Sequence, residues 1–287
     1  MKIAVIINPI SGVKAKETLE REVAQRLSLR HSVAIFFTKA PYHATELARQ
    51  ALKDNADIIA VAGGDGTINE VAQVVINSKA ALGIIPTGSG NGLARHLKIP
   101  LHFSKALDLL QKGHSRVIDT VQINDRFYIG VAGVGFDAEV GWTFALAGRR
   151  GFLSYFLSTL KNFPRYRCQK YELMIDGKNI DVWAFLMAFA NSSQFGNGAT
   201  IAPLAKIDDG ILDLVIVKPF PLYAAPSLLI RLFTRSLHRS YYVETIPCKT
   251  ILLPQRHLKA HIDGEPILFE DGIRIEIVPS SLKVIAP

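Results

Sequence analysis

Gly63-Gly64-Asp65-Gly66-Thr67 sets three glycines around one carboxylate. Glycine has no Cβ, so its backbone N–H groups can approach an anion closely. An aspartate among them can hold a divalent cation that a polyphosphate also coordinates. The apolar run Asp57 to Ala62 reads as a buried strand, and Ile68, Val71, Ala72 and Val75 are spaced as a helix face. The loop therefore lies at a helix N-terminus, which favours negative charge. Thr67 and Glu70 fit a capping box, which supports a helix start there. The plain alternative is a glycine turn that only joins strand to helix. A second loop, Pro86-Thr87-Gly88-Ser89-Gly90-Asn91-Gly92, follows the strand Ala81 to Ile85 and precedes a helix at Leu93 to Leu97. Two such turns on neighbouring strands would face one another above one sheet edge and suit a nucleoside triphosphate held from two sides. Asn8-Pro9-Ile10-Ser11-Gly12 ends the first strand at the same edge. Neither glycine loop is G-x-x-x-x-G-K-[ST] or a clean G-x-G-x-x-G, so a P-loop is excluded and a dinucleotide fold is not supported.

The elements that must position these loops alternate. Lys2 to Ile7 and Val33 to Phe37 read as strands; Leu19, Val23 and Leu27, then Ala44, Leu47, Ala48 and Ala51, read as helix faces. This βαβα order predicts a parallel sheet with helices on its faces and ligands at the carboxyl ends of the strands. After about Asp119 the pattern is strand-rich: Val117 to Ile123, Phe127 to Ala132, Tyr171 to Ile175, Val182 to Ala190, Leu212 to Val217, Tyr241 to Ile246, Thr250 to Leu253, Leu258 to Ile262 and Ile273 to Val278. Asp176-Gly177 and Asp263-Gly264 are hairpin-type turns. The expected class is α/β: an N-terminal α/β nucleotide-binding domain with a parallel sheet over 1–119, then a mainly antiparallel β-sandwich over 120–279. Helix-like patterns interrupt the second part at about 138–163 and 223–238. No Gly/Ser linker separates the halves, so a firm interface with a cleft is expected.

Composition agrees with two domains. The chain has 287 residues, 49% apolar and 20% charged, which is ample material for a core and excludes bulk disorder. Two distant cysteines, Cys168 and Cys248, exclude a disulfide framework or a Cys-based zinc site, so a reducing compartment is expected. No apolar run is long enough for a bilayer span. The net charge of +8 favours an anionic partner, with solubility charge as the alternative. His96, His102, His114, His238, His257 and His261 lack metal-ligand spacing and read as surface or satisfied structural histidines. No G-x-S-x-G elbow supports a hydrolase.

Asn8-Pro9-x-Ser11-Gly12, Gly63-Gly64-Asp65-Gly66-Thr67-Ile68-Asn69-Glu70-Val71 and Pro86-x-Gly88-Ser89-Gly90-Asn91 together resemble the diacylglycerol kinase catalytic domain, whose wider family includes sphingosine and ceramide kinases and bacterial soluble lipid kinases. Lys206-Ile207-Asp208-Asp209-Gly210-Ile211-Leu212-Asp213 resembles the family's acidic loop, and His261-Ile262-Asp263-Gly264-Glu265-Pro266 its late catalytic turn. The resemblance implies an ATP-dependent lipid kinase whose active site lies in the cleft. It also implies a last strand, about Leu282 to Ile285, that returns to the first domain over 280–287. On its terms Asn8, Pro9, Ile10, Ser11, Gly12, Thr38, Gly63, Gly64, Asp65, Gly66, Thr67, Ile68, Asn69 and Ser89 contact ATP. Asp65 acts through Mg²⁺, with Asp119 in the metal-water network. Glu265 is the base, with Asp263 able to share that role. Lys206, Asp209 and Ile211 form a separate structural metal loop, Lys206 and Ile211 through carbonyls. Read alone, Asp208-Asp209-Gly210 is a β-turn. The family's Asn-Asp after the second glycine loop is here Asn91-Gly92, which looks more like the sphingosine and ceramide kinase version.

The expected acceptor is diacylglycerol, giving phosphatidic acid, with a sphingoid base or ceramide as the alternative. An NAD kinase-like enzyme is a second alternative, since such enzymes also carry Gly-Gly-Asp-Gly-Thr. A non-catalytic, membrane-associated nucleotide-binding regulator is the reading of another class. The expected partners are the lipid substrate and an anionic membrane surface, with a homodimer kept open and no nucleic acid; the expected location is cytoplasmic and peripheral to a membrane. Two segments couple cations to bulky apolar residues. They are Gly148 to Leu157, followed by Lys161, Arg165, Arg167 and Lys170, and Leu228 to Arg239. Either is a membrane-docking or lipid-entry segment, or a core-facing helix with a solvated basic face.

Overall fold

The computed structural model describes residues 1–12, 16–146, 159 and 162–287. The cationic segment Gly148 to Leu157 and Lys161 lie outside the described residues. The chain divides into two compact units, Met1–Ile118 with Ser280–Pro287, and Asp119–Pro279.

The first unit holds β1 (Lys2–Ile7), α1 (Lys16–Leu27), β2 (Ser32–Phe37), α2 (His43–Lys53), β3 (Ile58–Gly63), α3 (Asp65–Val75), β4 (Ala81–Pro86), α4 (Gly92–His96) and α5 (Phe103–Lys112). The strands run parallel in the order β2-β1-β3-β4. β1, β3 and β4 are apolar almost throughout and nearly every residue in them is buried, as both faces of a parallel sheet require. Leu19, Val23 and Leu27 of α1 and Phe103, Ala106, Leu107 and Leu110 of α5 pack together on one face. The order 2-1-3-4 reverses between β1 and β3, so the chain leaves these two carboxyl ends in opposite directions and opens a crevice there. The loops Asn8 to Gly12 and Gly63 to Thr67 leave from those ends.

The second unit holds β6 (Arg126–Tyr128), β7 (Val131–Gly135), α6 (Phe136–Leu146), β8 (Gln169–Ile175), β9 (Lys178–Ala184), β10 (Leu186–Ala190), β11 (Gln194–Gly196), β12 (Ala199–Thr200), β13 (Leu212–Val217), α7 (Ala225–Phe233), β14 (Val243–Cys248), β15 (Thr250–Leu253), β16 (Leu258–Ile262) and β17 (Glu265–Phe269). Two further strands begin in one unit and end in the other: β5 (His114–Ile123) and β18 (Ile273–Ala286). One sheet is antiparallel in the order β14-β13-β10-β7-β16-β17. β8, β9, β15 and the first part of β18 pair in the other. Their inner faces share a core that includes Tyr128, Tyr171, Met187, Phe189, Leu214 and Ile275, the alternation a sandwich demands. The fold is therefore the expected α/β domain followed by a β-sandwich.

Two strand readings change. Val182 to Ala190 is not one strand: Ala184 pairs with β8, whereas Leu186 pairs with β7 and β13, so the chain changes sheet at Phe185. Phe127 to Ala132 likewise splits between β6 and β7. Ile273 to Val278 continues without a break through Ala286, and Val284 lies parallel beside Leu82 of β4.

Candidate active site

Three loops converge at the carboxyl ends of β1, β3 and β4. Asn8 Nδ2 donates to Thr67 Oγ1 at 2.9 Å, and Ser11 Oγ lies 2.8 Å from Thr87 Oγ1. The Asn8 amide donates to the Ala62 carbonyl, and the Thr87 amide to that of Gly63. The two glycine loops touch backbone to backbone: a Cβ on Gly88 would stand 2.5 Å from Gly64 Cα. Any side chain there forces the loops apart. Gly12, at φ 99°, brings the first loop against Thr87.

Asp65 is the first residue of α3, and Gly64 is its N-cap. The capping box at Thr67 and Glu70 does not form. The helix begins two residues before Thr67, whose hydroxyl serves Asn8, and the Thr45 hydroxyl donates to the Glu70 carbonyl. Burial pushes the Asp65 carboxyl pKa up, while the amides of Gly92, Leu93 and Asn91 pull against that shift. Its Oδ1 is buried with no close hydrogen-bond partner. Ile68 is buried. Asn69 is also buried, with Oδ1 unpartnered. Thr38 follows β2, its amide bonded to the Ile7 carbonyl, while Pro9, Ile10 and Ser89 are exposed. Sequence reading placed Asn91 in the second glycine loop but gave it no role. It is buried in the left-handed region at φ 51° and holds the Gly88 carbonyl through Nδ2 at 2.8 Å.

In the second unit, Asp263-Gly264 forms the two-residue turn between β16 and β17, with both residues at positive φ and Ile262 opposite Glu265. The Asp263 carboxylate accepts main-chain N–H groups from Gly130 at 3.0 Å, Val131 at 2.9 Å and Ile129 at 3.3 Å. It clamps the turn onto the β6–β7 connection, and only a glycine at 130 leaves room for it. Glu265, two residues on, is exposed. Nearby, His261 Nε2 stands 3.0 Å from Asp137 Oδ2, both side chains buried, and Gly133 makes space for the pair. His261 is thus a buried partner of a carboxylate at the start of α6, and its Nδ1 has no hydrogen-bond partner. The sequence carried no spacing signal for a pair 124 residues apart.

The acidic loop is a closed turn. Asp209 Oδ1 accepts the Ile211 amide at 3.1 Å, and Gly210 takes φ 71°. Asp119 is brought to this loop: its Oδ2 accepts the Gly210 amide at 2.7 Å and its own amide donates to the Ile207 carbonyl. The Lys206 side chain is exposed. Burial, then the charge of Asp209, raises the Asp213 pKa. Among the described residues, no three His, Cys, Asp or Glu side chains gather as a ready metal site.

A family model described as the diacylglycerol kinase catalytic domain matches residues 2–123. A second, the YegS C-terminal NAD kinase beta sandwich-like domain, matches residues 130–286. A protein of Chromohalobacter salexigens named "Probable lipid kinase YegS-like" is 30% identical over 97% of this chain and 92% of its own. The chain belongs to the diacylglycerol kinase catalytic-domain family. A relative of this kinase in Bacillus subtilis, named "Diacylglycerol kinase", is 33% identical over 75% of this chain and 73% of its own. A solved structure described as a putative diacylglycerol kinase from Bacillus anthracis matches the kinase fold at TM-score 0.84, with 24% identity over 100% of this chain and 97% of that one. As a kinase, the protein uses a nucleotide phosphoryl donor.

Proposed function

We propose that this kinase transfers the γ-phosphoryl group of ATP to the free hydroxyl of diacylglycerol, forming phosphatidic acid. The observation that carries the reading is the mutual fastening of three loops around glycine backbone at the crevice of the parallel sheet. Phosphoryl transfer depends chiefly on positioning and charge neutralisation. The loops at Asn8–Gly12, Gly63–Thr67 and Thr87–Asn91 hold the triphosphate through main-chain N–H groups, helped by the N-terminus of α3.

Kinase chemistry implies Mg²⁺, which is commonly held by one or two carboxylates together with substrate phosphates. The unpartnered, buried Oδ1 of Asp65 fits that role. Bound there, the ion would neutralise phosphate charge. The Lys206–Ile211 turn, with the Asp209 carboxylate and main-chain carbonyls, supplies hard oxygen donors suited to a second, structural cation.

Glu265 accepts the proton of the lipid hydroxyl as its oxygen attacks the γ-phosphorus, and ADP leaves. Asp263 is the weaker candidate because three amides already occupy its carboxylate. A base must come within hydrogen-bond reach of the hydroxyl, and Glu265 at the turn is exposed.

Labelled ATP, Mg²⁺ and mixed micelles containing diacylglycerol, monoacylglycerol, sphingosine or ceramide test the reading. Label is expected in phosphatidic acid. Label confined to a phosphorylated sphingoid lipid would move the acceptor to the class that Asn91-Gly92 resembles. Label in NADP, or ATP bound but never consumed with any lipid, would sink the lipid kinase reading.

A further inference from the structure

The helix α7 has two apolar faces. Leu228 is buried against the outer side of the antiparallel sheet, with Leu232 partly buried beside it and Leu237 beyond, among Val215, Val217 and Ala188. That face accounts for the fold of the segment. On the other side of the helix, Leu229, Ile230 and Phe233 are 45%, 62% and 43% exposed. The 3-10 turn before it adds Leu222 and Tyr223, 73% and 82% exposed, and Tyr241 after it is 90% exposed. A surface helix normally turns polar residues outward, and apolar residues gathered into one exposed patch mark an interaction surface.

The charge around the patch is one-signed. From Lys218 to Val243 the sequence contains no Asp or Glu. Arg235 and Arg239 are exposed and Arg231 is half-buried. Among the described residues, none of the three arginines lies in an ion pair with a carboxylate. Arg231 and Arg239 line a shallow groove with Tyr223, Ile230 and Ser227. Arg235 stands at φ 58° just past the helix end, where glycine is the easier residue.

We propose that this face, Leu222 to Tyr241, docks onto an anionic lipid bilayer. The apolar and aromatic side chains enter the headgroup and upper acyl region, and the arginines meet lipid phosphates at the rim. The charge decides for a bilayer over a second copy of the chain: two copies of this face would bring arginine against arginine. The inference rests on exposure and charge, so it stands or falls apart from the phosphoryl-transfer reading.

The test is co-sedimentation with vesicles of phosphatidylcholine alone or with phosphatidylglycerol, in the absence of ATP. The whole chain is expected to sediment with the anionic vesicles only, and less as salt rises. Arg235→Glu with Arg239→Glu should weaken that binding by roughly tenfold or more, and Tyr223→Ser with Ile230→Ser by a similar factor. All four side chains are exposed, so the melting midpoint should hold, and the salt series on the unaltered chain gives a readout free of any folding defect. Wild-type protein that stays in solution with anionic vesicles overturns the proposal. So does variant binding equal to wild type, or an Ile230→Ser change that splits a dimer without altering vesicle binding.

Discussion

Gly88 meets Gly64 where any side chain at position 88 would collide, so the closeness of the two loops is a property of one missing Cβ atom. Gly88→Ala should raise the KM for ATP at least tenfold, an order-of-magnitude expectation from losing aligned N–H donors, and steady-state kinetics at saturating lipid would show it. Asp263 and Glu265 are two residues apart in sequence but differ in surroundings. Asp263→Asn should cost about 1–3 kcal/mol in urea unfolding, because it disturbs a carboxylate that serves three amides. Glu265→Gln, at an exposed side chain, should disturb unfolding less than that and lower kcat by about 10²–10⁴-fold. The reverse pattern would exchange the two roles. His261→Ala should destabilise by about 1–3 kcal/mol, since the buried Asp137 loses a partner at 3.0 Å. The glycine loops and the Asp-Gly-Glu turn were legible because their signals are local. The Asp137–His261 pair was not, since what matters there is a contact formed across the fold.

Strand pairing depends on similar fastenings. The Asp176 carboxylate, at the β8–β9 turn, accepts the amides of Lys249 at 3.0 Å and Thr250 at 2.8 Å, so it ties that hairpin to β15. Slight burial pushes its pKa up, but these amides prevail and hold it below the ordinary carboxylate value. A carboxylate with a depressed folded-state pKa stabilises above its unfolded value and loses that contribution as pH falls through the folded one. The melting-temperature gap between wild type and Asp176→Asn should therefore be constant near neutrality and close as the pH drops below about 4. A gap that persisted unchanged in acid would remove the carboxylate's role. At α7 the spacing of Leu228 and Leu232 was readable, but which side of the helix met the sheet was not. Apolar residues lie on both sides, and only the packing against Val215 and Val217 distinguishes them.

At the scale of the whole molecule, the C-terminal segment closes the first unit. Leu282, Val284, Ile285 and Ala286 are buried, and the Asn77 amide donates to the Ser281 carbonyl. Deleting Ser280–Pro287 uncovers β4 along this edge, and the truncated chain should lose cooperative unfolding or fail to stay soluble. A truncated protein that melts like the full chain would show that the segment is dispensable. The cysteines report on the second unit. Burial pushes the Cys248 thiol up to about 12, whereas Cys168 is only half-buried with a thiol raised less. A thiol reagent should modify Cys168 first, with Cys248 reacting only on unfolding.

The sequence by itself determined the alternation of strands and helices, the two glycine loops and the two Asp-Gly hairpins, because periodicity and turn chemistry act over a few residues. It also determined the family, through motifs spread along nearly the whole chain. Tertiary structure alone decided where Phe185 carries the chain from one sheet to the other, since a continuous apolar run looks the same on either side of that crossing. It alone decided that Asp119 serves the Gly210 turn, that Asp263 is occupied by amides, and that one flank of α7 is left bare. Each of these is set by which distant backbone and side-chain groups come together, and no short window of sequence contains both partners.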